Sequence, residues 1–174
     1  MNFLDKRVNE ILAKAAENII AEAKANLKDG TLKNSLRAEE GDDNSIEIIM
    51  AKYGVFQDKG VTGANHSNFK GKKKEMFKSL AGYKFNPSNR MIGGSENILK
   101  WMKKNKIKGR DKKTGRYIKQ ETASFMIRRS IHHHGIKPSL FLTTPYEKYM
   151  ELIKKEFLNL HNEIIKDITN GSNR

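Results

Sequence analysis

SIEIIMAKYGVFQDKGVTG, residues 45–63, decides how this chain is read. In its first part Ile46, Ile48 and Met50 share one face of an extended segment, and Glu47 and Ile49 share the other. That period of two reads as a strand, apolar on one side and partly polar on the other. Residues 51–63 then pack two aromatics, one acid and three glycines into a short span. No catalytic motif has this composition, so the segment reads as a strand leaving a sheet and turning into something else.

Upstream, residues 35–40 read as the partner strand. Gly41-Asp42-Asp43-Asn44 between the two is turn-rich, which makes 35–51 a hairpin. Before it, Leu4, Val8, Ile11, Leu12, Ala15, Ile19, Ala23 and Leu27 recur at steps of mostly three and four, predicting an amphipathic helix over 3–28. Asp29-Gly30 ends it, and a short turn, Thr31 to Leu36, leads into the hairpin.

Downstream the period fades. Residues 64–94 are rich in Gly, Asn, Ser and Lys, with Phe69, Phe77, Tyr83 and Phe85 scattered among them. This reads as a long loop or arm with one helical turn near 75–80. It holds too little apolar area to order itself against its backbone entropy, so it is expected to order on assembly. A helix follows from Ser95 as N-cap, with Ile98, Leu99, Trp101 and Met102 facing inward. Lys106 to Tyr117 is a basic turn region, with Thr114-Gly115 as a tight hairpin. Residues 120–134 form another helix, with Ala123, Met126, Ile127 and Ile131 as its apolar face and Gly135 as its stop. After an extended piece, 136–143, Thr144-Pro145-Tyr146-Glu147 starts a last helix, to about Ile168. Its stripe is Tyr149, Leu152, Ile153, Phe157, Leu160, Ile164 and Ile168.

The chain has 174 residues, 37% of them hydrophobic, which fits one modest core and excludes a membrane protein. It has no cysteine, and its start lacks the apolar stretch of a signal peptide, so an intracellular product is expected. The net charge of +14 and pI near 9.9 favour an anionic partner. Lysines cluster at 70–78, including Lys72, Lys73 and Lys74. A second basic cluster runs from Lys103 to Arg116.

Motifs for chemistry are few. Three consecutive histidines, 132–134, sit about 100° apart on a helix and cannot converge on one ion. Their reading is a complement to the negative end of the helix dipole. Gly93-Gly94-Ser95 before a helix could hold a single phosphate, but no phosphate loop, nucleophile elbow or placed acid pair is present. No enzyme, metal or cofactor is expected from these residues.

The order of segments resembles the neck and tail-completion (head–tail joining) proteins of tailed bacteriophages. That family shows T-G-x-L-x-x-S-I after its first helix, a Y-A-x-Y-V-E-F-G-T-like segment after its hairpin, and G-x-x-P-x-x-F-L-x-P-A or similar before its last helix. The matches here are Gly30, Leu32, Ser35 and Leu36; then Tyr53, Phe56, Asp58 and Gly60; then Pro138, Phe141 and Leu142. Asp29, Lys59 and Val61 depart from the pattern, and 64–119 is only loosely covered.

The resemblance implies an α+β fold: a small antiparallel sheet on long first and last helices, one domain over 1–174 with 64–119 as an inserted basic arm and helix. It implies a virion structural protein, made in the host cytoplasm. The chain would form a ring, a hexamer, at the neck or the end of the tail tube. Its partners would be its own copies, adjacent neck, portal-adaptor or tail-tube proteins and, without sequence preference, the genomic DNA. No catalysis, cofactor or membrane is implied. Gly30, Leu32, Pro138, Phe141 and Leu142 would anchor the fold. Tyr53 and Phe56 would fix a helical turn to the core, and Gly60 and Gly63 would turn the chain into a projecting loop. Tyr53, Phe56, Asp58, Lys59, Gly60, Phe69, Lys72, Lys73, Lys74 and Phe77 would meet a neighbouring subunit or ring. The residues also allow a free nucleic-acid-binding protein, with lysines interleaved among Phe69, Phe77, Tyr83, Phe85 and Trp101. A small basic nuclease or toxin built on Arg128, Arg129 and His132 is a third reading.

Overall fold

A computed structural model describes residues 3–28, 30–42, 44–88 and 95–171. Asp29, Asp43, Gly93 and Gly94 lie outside them, as does the Ser95 side chain, so the first helix cap, part of the hairpin turn and the single-phosphate reading fall outside the described residues. The fold is α+β, with a small antiparallel sheet and long helices at both ends. The chain divides into two compact units: Met1–Gly54 with Leu140–Arg174, and Val55–Ser139.

The first unit follows the apolar periodicity. Helix α1 (Phe3–Ala25) buries Ala15, Ala16, Ile19, Ile20 and Ala23, small enough in part to bring helix α7 (Thr143–Gly171) close. Helix α2 (Thr31–Ser35) is a single turn that drops Leu32 into the core. Strands β1 (Arg37–Glu40) and β2 (Ile46–Ile49) pair antiparallel with Arg37 opposite Ile49 and Glu40 opposite Ile46. Ile20, Ala23, Leu27, Leu32, Leu36 and Phe141 form one buried cluster, with Ile48, Met50, Ala51 and Leu142 against it. Each of the larger side chains contributes roughly 1.5–3 kcal/mol by leaving water. The Ser35 hydroxyl ties two parts of this core: it donates to the Leu32 carbonyl at 2.8 Å and accepts the Ala51 N–H at 3.0 Å. Helix α7 starts at Thr143, one residue before the expected cap, with Pro145 buried in its first turn.

The second unit holds helix α3 (Gly54–Lys59, its first residue belonging to the other unit), strand β3 (Val61–Thr62), a 3-10 turn at His66–Asn68 and helix α4 (Lys72–Met76). Helices α5 (Ser95–Lys104) and α6 (Gln120–His134) follow, packed on one another, and then strand β4 (Gly135–Ile136). Strands β3 and β4 pair antiparallel, Val61 with Ile136 and Thr62 with Gly135. The glycines allow this approach. A Cβ on Gly63 would lie 2.2 Å from the His133 carbonyl oxygen and 2.3 Å from the His134 carbonyl carbon. Gly135 holds φ +98°, a conformation side chains disfavour.

Three expected inward faces are corrected. Trp101 is half exposed, because α5 turns Met102 fully into the packing instead. Met126 is exposed, and α6 buries Ser124 and His132 beside Ala123. Of the expected α7 stripe only Ile153 is buried, while Leu152 and Ile168 face solvent. A helical period identifies a face, but the width of that face is set by what packs on it.

Candidate functional site

Residues 51–63 do not act as a unit. Gly54 sits under Leu32, where a Cβ would meet its Cδ1 at 2.7 Å, so the start of α3 needs glycine for close packing. Tyr53 and Phe56 are not core anchors: they are 47% and 43% exposed. The Phe56 ring instead meets Tyr83 edge-on at 4.9 Å. Asp58 is buried, and Lys59 lies half-buried beside it at 3.8 Å. Gly60, at φ +74°, is buried against Pro138, whose Cδ would lie 2.7 Å from an added Cβ. Gly63 does not begin a projecting loop, because β3 runs straight into its pairing with β4.

The arm from 64 to 88 also differs from the expectation. Its aromatics find partners in the same chain, at the end of α6. Phe69 stacks on His134 at 5.1 Å, Phe77 tilts over the same ring at 6.2 Å, and Phe85 stacks on His132 at 5.9 Å. Backbone bonds close the arm down: Ala64 N–H donates to His132 O at 2.9 Å, and Phe85 N–H to Thr62 O at 3.0 Å. Within it, Ser79 is buried. Its N–H donates to the Thr62 hydroxyl at 2.9 Å, and its own hydroxyl accepts the Tyr83 N–H at 3.1 Å. Sequence reading missed the burial of Thr62 and Ser79, since nothing local marks a small polar side chain as buried.

His132 and His134 are therefore packing partners of the arm. His132 is buried and donates from Nε2 to the Asn86 carbonyl at 3.2 Å. His134 donates from Nδ1 to the Ser130 carbonyl at 2.9 Å. Loss of hydration holds the His133 imidazole below its usual range, helped by the positive charge of Arg129 and the two neighbouring histidines. The His132 ring stacks on Phe85 and its Nε2 is engaged by the Asn86 carbonyl. Among the described residues no group of three His, Cys, Asp or Glu side chains could hold a metal. No described helix is long and apolar enough to cross a membrane.

Of the contact residues expected from sequence, the structure brings together Phe69, Lys73 and Phe77. Lys73 Nζ stands 4.6 Å over the Phe69 ring. Lys73 and Phe77 line a shallow depression of about 390 Å³ with Ser130, Ile131, His134 and Gly135. Lys72, Lys73 and Lys74 lie exposed on α4. The anchors behave differently: Leu32, Phe141 and Leu142 meet in the first unit, Pro138 packs on Gly60 in the second, and Gly30 is exposed.

Charge separates the units more sharply than any motif does. Val55–Ser139 carries 21 Lys and Arg against 5 Asp and Glu, a net +16, and the rest of the chain carries 13 against 15, a net −2. The fold and surfaces thus define an α+β protein whose near-neutral helical unit carries a strongly basic one within its chain. No protein-family model, curated protein or solved structure matches this chain.

Proposed function

We propose that this chain is a virion structural protein of a tailed bacteriophage, forming a homo-oligomeric ring, a hexamer, in the neck or at the end of the tail. One observation carries the reading: segments behind the resemblance that lie far apart in sequence meet in space, the first with the third in one unit and the second with the third in the other. Leu32 and Leu36 of the first share a core with Phe141 of the third. Gly60 of the second lies under Pro138 of the third. Motifs that match by chance have no reason to touch. The exposed Tyr53 and Phe56 suit a contact surface better than a core, and large apolar residues remain exposed on one side of α7 at Leu158, Ile165 and Ile168. An apolar stripe left on a long terminal helix suits burial by a second copy.

The test is purification of phage particles from the host that carries this gene, with mass spectrometry and imaging of the particles. The chain should co-sediment with intact particles, and density for a ring of it should lie between capsid and tail tip. Particles that lack the chain overturn the proposal. The segregated +16 favours a second reading, a free nucleic-acid-binding protein. That reading requires the chain in infected cells and not in particles.

A further inference from the structure

Ten of the twenty residues from Lys100 to Lys119 are Lys or Arg, and one, Asp111, is acidic. This stretch is built. After α5, residues 109–118 form a short ribbon-like hairpin held by a single antiparallel bridge. Ile118 N–H donates to Gly109 O at 3.0 Å, Asp111 N–H to Arg116 O at 2.8 Å, and Arg110 stands opposite Tyr117. The turn is closed by the acid itself. The Asp111 carboxylate accepts the Lys113 N–H at 2.9 Å, the Thr114 N–H at 2.7 Å and the Thr114 hydroxyl at 3.0 Å. Its negative charge is engaged in holding the turn. The base sits flush on α6, where a Cβ on Gly109 would lie 2.9 Å from that of Ala123.

On one face Tyr117, 60% exposed, gathers the cations. Arg110 lies 4.5 Å over its ring and donates to its hydroxyl at 2.6 Å, and Lys108 Nζ lies 5.5 Å from the same ring. Lys112, Lys113 and Arg116 stand exposed around the tip, and Lys119 follows at the start of α6.

We propose that the 108–119 ribbon binds the phosphate backbone of duplex nucleic acid without regard to sequence. Three features select this partner. A cation run with its single acid engaged calls for a continuous anion, and a duplex carries one charge per roughly 1.7 Å of its axis. A ribbon-like hairpin fits a major groove about 12 Å wide, with cations from both sides reaching phosphates. The Tyr117 ring is occupied by Arg110 and Lys108, so it serves as a platform for cations and not for stacked bases, which favours a duplex over a single strand. The inference stands apart from the ring reading, since it concerns the isolated chain.

The experiment is fluorescence anisotropy of the full-length chain with a short labelled duplex of arbitrary sequence, over a range of salt. A Lys112→Ala/Lys113→Ala/Arg116→Ala variant should bind at least about tenfold more weakly at low salt. Its slope of log affinity against log salt should be shallower by about 2 to 3. A Lys154→Ala/Lys155→Ala/Lys166→Ala variant removes the same charge from α7 and should change that slope by less than about 1. Circular dichroism checks both folds, and a Gln version of the ribbon variant repeats the test. The wild-type chain adds a measurement independent of any variant: the duplex should bind more tightly than either of its single strands. Equal slopes for the two triple variants would overturn the proposal. So would a single strand binding as tightly as the duplex, or polyglutamate competing as well as unlabelled duplex, which would point to an acidic protein surface instead. None of these outcomes bears on whether the chain is found in particles.

Discussion

The two units are held together by different physics. In Met1–Gly54 with Leu140–Arg174, the buried residues are apolar: Ala15, Ala16, Ile19, Ile20, Ala23, Leu27, Leu32, Leu36, Phe141 and Ile153. In Val55–Ser139 the buried hydrophobics are Val61, Met102 and Ala123, and beside them lie Asp58, Thr62, Ser79, Ser124 and His132. The first unit gains its stability from area removed from water. The second gains it from satisfied polar groups, close backbone approach and stacked rings. The net +16 of the second fits this, because a surface dense in Lys leaves few apolar side chains to bury. Such a unit depends more on each single contact, and that dependence can be tested.

The largest expected effect lies in the apolar core. Phe141→Ala removes a side chain that is only 1% exposed and should cost about 3–5 kcal/mol. Hydrogen exchange should show α1 and the start of α7 losing protection while α6 keeps its own. Equal loss in α6 would mean that the two units do not differ in this way. Next comes Gly63→Ala, which drives a methyl into the backbone at His133 and His134 and should cost about 3 kcal/mol. Here amides at 62–65 and 132–136 should exchange faster, with α1 unchanged.

Thr62→Val keeps the shape but removes the acceptor for the Ser79 N–H, and should cost about 1–2 kcal/mol. A neutral result in thermal unfolding would argue that the polar core of this unit is not what holds it. The smallest effect is in pH. His133 in the folded chain has its pKa lowered from 6.5, so the fold favours its neutral form. That contribution is complete above the unfolded value and is lost as pH falls through the lower folded one. Protection of α6 should therefore weaken on acidification below about 6.5, and less so in His133→Gln. An unaltered pH profile in that variant would remove His133 from the account.

The three motif segments show how far a sequence reading reaches. Leu32 and Phe141 were expected as anchors from the resemblance, and both are buried in one apolar cluster. Tyr53 and Phe56 are not buried, because an aromatic ring is stable half-exposed when its edge meets another ring, as Phe56 does on Tyr83. The arm misled for a related reason. Its Phe69, Phe77 and Phe85 lack a period, so their partners could not be found locally. The partners are histidines 47 to 65 residues further on. His132–His134 were read as a complement to the helix dipole, but the role of His132 and His134 as stacking partners depends on what the arm brings to them.

The sequence by itself determined the long first and last helices, the first hairpin, helices α5 and α6 with the Gly135 stop, and the total charge. Each of these rests on local spacing or on counting. The tertiary structure alone decided that Gly63 and Gly135 are points of close backbone contact, and that Asp58, Thr62, Ser79, Ser124 and His132 are buried. It alone divided a charge of +14 into +16 and −2, by setting the unit boundaries at 54/55 and 139/140. The physical reason is common to all of these. Periodicity states which residues share a face, whereas burial, close approach and local field depend on a partner supplied from elsewhere in the chain.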